Sequence, residues 1–160
     1  MSGINDLDLN AFVTKTLTDV FDTMLSMKLE KTDGCAKGID GGNQIVGSVG
    51  FAGKVMGNVN ILVSGDFARL ITSQMLGMDT DEIESEEEVF DVIGELSNML
   101  GGDIKSRLCD HGFKCDLSIP SITSGANLKI ESSGWERYEC FSFKYRENTA
   151  QVQVYIKTAE

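Results

Sequence analysis

Proline, histidine and tryptophan occur once each in the chain, and cations are scarce: 14 Lys and Arg stand against 25 Asp and Glu, a formal charge of −11. Binding to nucleic acid or anionic lipid begins with Lys and Arg displacing counterions, so this balance argues against both kinds of partner. No window holds the 18 or so uncharged apolar residues that a membrane span requires. The opening MSGINDLDLN is acidic where an export signal is basic and then apolar, so a cytoplasmic protein without membrane insertion is expected.

The lone His111 has no Ser or Cys beside it in a nucleophile setting, which speaks against triad chemistry. Cys35, Cys109, Cys115 and Cys140 form no Cys-x-x-Cys pair, a usage that fits a reduced compartment better than a disulfide framework. Cys109, His111 and Cys115 lie close enough to raise a zinc question. That spacing matches no zinc module, and a fourth ligand is not evident, so no bound metal or cofactor is expected.

What is present suffices for one core. At 160 residues and 41% hydrophobic content the chain predicts a single domain over residues 1–160. Leu7 to Met27 carries Phe12, Val13, Leu17, Val20, Phe21, Met24 and Leu25 at steps of three and four, which predicts an amphipathic helix. Gln44 to Phe51 and Val55 to Val63 are β-rich runs joined at Ala52 to Lys54, an antiparallel hairpin. Ser64 then reads as the N-cap of a second helix, Asp66 to Leu76, ending at Gly77.

The acidic run Asp79 to Glu88 reads as a solvated link whose last carboxylates favour the start of a third helix, from about Glu86 to His111. Strands are expected at Phe113 to Ile119, Leu128 to Ser132, Tyr138 to Tyr145 and Gln151 to Lys157, with a turn at Arg146 to Ala150. This order gives an α+β fold, a mainly antiparallel β-sheet with helices packed on one face.

The third helix carries the chemistry. At about 100° per residue, Val89, Val92, Ile93, Leu96, Met99, Leu100, Ile104 and Arg107 share one broad face. Asp91, Glu95, Asn98 and Gly102 fall on the other, with Glu95 and Asn98 neighbours about 60° apart. Asn is a mediocre helix former, and Gly94, Gly101 and Gly102 each cost the helix about 1 kcal/mol relative to Ala. Glycines beside an exposed polar pair let another surface approach the backbone, or serve close packing within the domain; periodicity does not separate the two.

The run Asp91, Glu95, Asn98 and, after 21 intervening residues, Pro120 resembles the signature of the CheC, CheX and FliY family of chemotaxis phosphatases. GELSNMLGGDIKSRL, SIPSITSGANLKI and the Gly-rich hairpin before a short helix match that family in kind and order, over nearly the whole chain. CheC-type members bear two such helices and CheX-type members one. The first helix here has Asp19 but no Glu or Asn at the required offsets, so the chain resembles the CheX type, with one site per subunit.

The resemblance implies a phosphatase for phosphorylated CheY-like response regulators, a homodimer whose sheet continues across subunits, and Mg2+ supplied by the regulator. It assigns the catalytic roles to Glu95 and Asn98. Asp91, Gly94, Gly102 and Lys105 become docking candidates, while Pro120 is expected to shape the chain rather than touch substrate. A regulator-binding module without catalysis, as in the related flagellar switch protein FliM, is the second reading. A small-ligand domain is the third, for which the sequence offers no convergent polar groups.

Overall fold

The computed structural model describes residues 3–32, 35, 39, 42–126, 128 and 133–159. Helix α1 (Leu9–Leu25) starts where the Asp8 side chain accepts the Ala11 amide at 3.0 Å and ends at Ser26 in the left-handed region. Its stripe of Phe12, Val13, Leu17, Phe21 and Leu25 is buried. Met24, expected among them, is 48% exposed, and Met27 beyond the helix end is buried instead. The short strand β1 (Glu30–Thr32) follows.

Strands β2 (Asn43–Gly53) and β3 (Val55–Ser64) form the expected hairpin, turning at Lys54. Ser64 then caps α2 (Gly65–Leu76), its hydroxyl accepting the Phe67 amide at 3.0 Å, and Gly77 closes the helix at φ 67°. Only a residue without a Cβ enters that conformation without penalty. The acidic link includes a 3-10 turn at Thr80–Glu82 and runs into α3 (Glu86–Asp110), whose first turn holds Glu86, Glu87 and Glu88 at the positive end of the helix dipole.

After α3 the structure departs from expectation. The anticipated strand at Phe113 to Ile119 shortens to β4 (Cys115–Leu117), and β5 (Ser121–Ala126) begins just after Pro120. Both pair with β2, β4 at its end and β5 at its start. Pro120 stands between them, as a residue without an amide proton does in a sheet. Of the strand expected at Leu128 to Ser132, Leu128 is described and belongs to no strand, and residues 129–132 lie outside the described residues. Strands β6 (Arg137–Tyr145) and β7 (Asn148–Thr158) form the final hairpin around Arg146 and Glu147, so Ala150 belongs to a strand rather than to the turn.

All pairings are antiparallel, in the order β1-β6-β7-β3-β2-β4, with β5 also on β2. One face of the sheet presents Ile45, Val59, Ile61, Val152, Val154 and Phe143 to the helices, and this is the main core. The opposite face carries a hydroxyl and amide network, in which Ser48 donates to Asn58 and Asn60, and Asn60 to Gln153. A smaller apolar cluster of Ile39, Val46 and Leu62, with Leu128 packed on it, lies there too.

Cys140 also lies on this second face, paired across the ladder with Gln153, and it forms a disulfide with Cys35. This revises the expectation of unpaired thiols: the fold brings together two cysteines 105 residues apart that no local spacing relates. Among the described residues no helix is long and apolar enough to cross a membrane.

Candidate functional site

Helix α3 lies on β2 with its apolar stripe down. Val89, Val92, Ile93, Leu96, Leu100 and Ile104 are buried, while Asp91, Glu95 and Asn98 are exposed. Two small-residue contacts set this height. A Cβ at Gly47 of β2 would sit 1.9 Å from Ser97 Oγ, and one at Gly101 would sit 3.0 Å from Val49 Cγ1. Gly101 therefore serves packing within the domain.

Gly94 and Gly102 differ. A Cβ at Gly94 would meet only Ile122 Cδ1 at 3.8 Å, and one at Gly102 only Leu117 Cδ1 at 4.0 Å, both ordinary contacts. No internal crowding requires a glycine at either position. Gly94 instead keeps low the floor of an open groove lined by Asp91, Gly94, Glu95 and Asn98 on the helix side.

The other wall is the β4–β5 connection, with Leu117, Ser118, Ile119, Pro120 and Ile122. Ser118 fastens this wall to β2: its amide donates to Gly50 O at 2.8 Å, and its hydroxyl accepts from the Gly50 amide at 2.9 Å. The two ends of the sequence signature thus face each other across one groove. Pro120 lines it and also separates the two strands.

Glu95 and Asn98 project from adjacent positions, about 4.5 Å apart along the axis and 60° around it. Among the described residues, neither side chain is engaged by a hydrogen bond or ion pair. The charged residues lining the groove are Asp91 and Glu95, so it suits a cationic group on a partner. A carboxylate beside a carboxamide can grip such a cation and, three residues along the helix, donate to and accept from a water.

Asn98 also borders a second groove, between α1 and α3, with Thr16, Asp19, Gly102, Asp103 and Arg107. There the buried Thr16 hydroxyl donates to Asp103, and Arg107 Nε donates to the same carboxylate at 3.0 Å. Arg107, which periodicity placed on the core face, lies half-buried with its guanidinium 5.7 Å from the Phe12 ring. This tie joins α1 to the helix that carries the pair.

The four signature residues share this groove, but the docking candidates do not all join them. Gly102 lines the α1–α3 groove only, and Lys105 lines neither, lying 3.8 Å from the exposed Asp116. Such a pair in water contributes little to stability. Conversely, sequence reasoning missed the wall residues Ser118, Ile119 and Ile122 as parts of the site. The signal was available in the proline inside an otherwise β-like run, which marks a break where side chains leave the ladder.

Near the far end of α3, Cys109 and Cys115 are free thiols in contact. Burial, and then the neighbouring Cys109, push Cys115 up to about 11. His111 packs its ring on Phe12 at 5.3 Å, with Nδ1 2.8 Å from the Arg107 carbonyl oxygen. Trp135 packs near Tyr155, ring centres 6.0 Å apart, with Lys157 Nζ 5.1 Å from its centroid.

Known proteins share this fold. The chain is 31% identical over 93 residues to the CheY-P phosphatase CheX of Thermotoga maritima, an alignment covering 58% of this chain and 59% of that protein. The match thus spans less than two thirds of that relative. The crystal structure of the chemotaxis protein CheX from Vibrio vulnificus superposes with a TM-score of 0.82 at 25% identity, covering 98% of this chain and 100% of the other. A complex of CheX with CheY, BeF3 and Mg2+ from Borrelia burgdorferi shares the fold, with a TM-score of 0.79 at 24% identity over 94% of this chain and 98% of that one. The family model for chemotaxis phosphatase CheX matches residues 45–144, from β2 through α3 and its groove into β6, and the chain belongs to that family.

Proposed function

We propose that this protein hydrolyses the aspartyl phosphate of a CheY-like response regulator, with Asn98 aligning the attacking water and Glu95 engaging the regulator's active-site lysine. The observation that carries this is the uncommitted pair Glu95 and Asn98 on the rim of a groove whose floor is the small Gly94.

An aspartyl phosphate is an acyl phosphate and already reactive. What slows its hydrolysis on a receiver is the lack of a water held in line with phosphorus. A carboxamide is no strong base, but it donates and accepts hydrogen bonds at once, as the water-orienting glutamine of GTPases does. Inserted beside the phosphoryl group, Asn98 supplies that alignment. Glu95, three residues back along the helix, meets the lysine through a charge-assisted bond and sets the register of the two proteins. Asp91 adds negative charge to the same wall.

The Mg2+ and the carboxyl group that carries the phosphate come with the receiver, so the reaction needs neither a metal nor a phosphoenzyme on this chain. Support for such a partner comes from the Borrelia burgdorferi complex of CheX with CheY, BeF3 and Mg2+. A receiver partner also implies work in the cytosol. A single Glu95–Asn98 pair in the sequence fits the CheX type, and the homodimer belongs to the same proposal, with β1 and the β4–β5 side as the edges at which a sheet can be extended.

The test is the decay of phosphorylated receivers from the same organism, with and without the protein. Accelerated decay is expected for at least one, and Glu95→Lys, which sets like charges against each other, should lower kcat/KM more than about a hundredfold. Binding without acceleration would make the chain an interaction module instead.

A further inference from the structure

Ile119 is 89% exposed, more than Met24, Met56, Leu76 or Tyr138, the other large apolar side chains at the surface among the described residues. Single exposed apolar residues are common and need no explanation by themselves. Three features set this one apart.

Its backbone is held firmly. The preceding Ser118 is bonded to Gly50 through both its amide and its hydroxyl, and the following Pro120 has its own φ fixed by its ring. The side chain is therefore presented in one place rather than carried on a loose tip. It also has company, since Leu117 and Ile122 are half-buried on the same wall of the groove and make an apolar strip beside it. Finally, the strip lies opposite Asp91 and Glu95, so a partner whose cation meets the acidic wall brings its neighbouring surface down onto Ile119.

We propose that Ile119 is the apolar anchor by which the groove grips the receiver domain, fixing affinity and partner choice while Asn98 acts on the phosphoryl group. This deepens the phosphatase reading and rests on it. The occupant is the receiver surface around its phosphoaspartate, because its lysine complements the acidic wall and the apolar strip is continuous with the groove that Asn98 borders. Interfaces concentrate their energy in a few central residues. Moving one isoleucine from water into full contact changes affinity by on the order of ten- to a hundredfold.

The experiment uses the full chain and the receiver that wild type dephosphorylates, or binds in its beryllofluoride-loaded form. Ile119→Asp should raise KM, and the Kd for the loaded receiver, at least tenfold while kcat at saturation stays within about twofold. Ile119→Leu should restore both constants, and Met24→Gln, at an exposed site outside the groove, should alter neither. Circular dichroism checks the fold of each variant. Unchanged KM and Kd in Ile119→Asp would overturn the anchor, as would a fall in kcat with KM unchanged. Loss of self-association with receiver binding intact would assign the residue to a contact between copies and overturn it equally. A wild-type protein that binds a receiver without hydrolysing it sinks the phosphatase reading but leaves the anchor to be judged by Kd; one that does neither sinks both.

Discussion

Gly47 of β2 lies directly beneath Ser97 of α3, so close that a Cβ on the glycine would come within 1.9 Å of the Ser97 hydroxyl oxygen. Ser97 is buried and turns that hydroxyl back to Ile93 O at 2.7 Å, between the outward-facing Glu95 and Asn98. The missing side chain on the sheet thus fixes how far the pair stands above it.

Filling that space should be felt. A methyl at Gly47 would also meet Ile93 Cγ2 and Ser97 Cβ, each at 3.2 Å. Gly47→Ala is expected to destabilise the fold by about 1–3 kcal/mol, the usual effect of overpacking. Adding Ser97→Ala, which removes the nearest atom, should recover about half of that loss. Urea denaturation midpoints of the single and double variants measure it.

Gly94 should behave in the opposite way. Its added methyl has room, and an alanine favours the helix by about 1 kcal/mol, so Gly94→Ala should leave stability unchanged or slightly raised. The same methyl raises the groove floor beside Glu95 and Asn98. Displacing a partner by a fraction of an ångström there should lower phosphatase turnover by roughly ten- to a hundredfold. Stability and activity moving apart is the result to look for; both unchanged would mean that the floor is not a contact.

Cys115 offers a pH test. The thiolate is the reactive form, and with burial and Cys109 holding the thiol up to about 11, very little thiolate exists at pH 8. Iodoacetamide labelling mapped by mass spectrometry should find Cys109 modified well before Cys115, with the Cys115 rate rising about tenfold per pH unit up to the shifted value. The folded value lies above the reference of 9.0, so the shift favours the native state below pH 9. That contribution is lost as pH rises through about 11.

Much of the architecture was legible where local pattern and tertiary burial agree. The stripes of α1 and α3, the Ser64 and Gly77 ends of α2 and the β-rich runs of the β2–β3 and β6–β7 hairpins each reflect elements packed on one core. The failures have a common cause. Strand β1 holds three residues, Glu30–Thr32, with no apolar alternation and exists through its pairing with β6. In β5 only Ile122 is large and apolar, because this strand lies at the sheet's edge and is fixed by its ladder with β2. The Cys35–Cys140 bridge likewise depends on contact across 105 residues.

At the site, the exposed pair was legible as helical geometry, since three steps along α3 place Asn98 beside Glu95 whatever surrounds them. Of the opposite wall, only the break at Pro120 was. Ser118, Ile119 and Ile122 join the groove only because β2 pairs with both β4 and β5, a long-range arrangement that no spacing along the chain encodes.

The water-aligning role of Asn98 is tested most directly by single-turnover decay of a phosphorylated receiver saturated with wild type or with Asn98→Ala, alongside the affinity of each for the beryllofluoride-loaded receiver. Loss of the aligned water should slow hydrolysis by roughly a hundredfold while affinity changes only a few-fold, since the asparagine acts on the water rather than on the grip. Hydrolysis within twofold of wild type in the saturated Asn98→Ala complex would contradict that role.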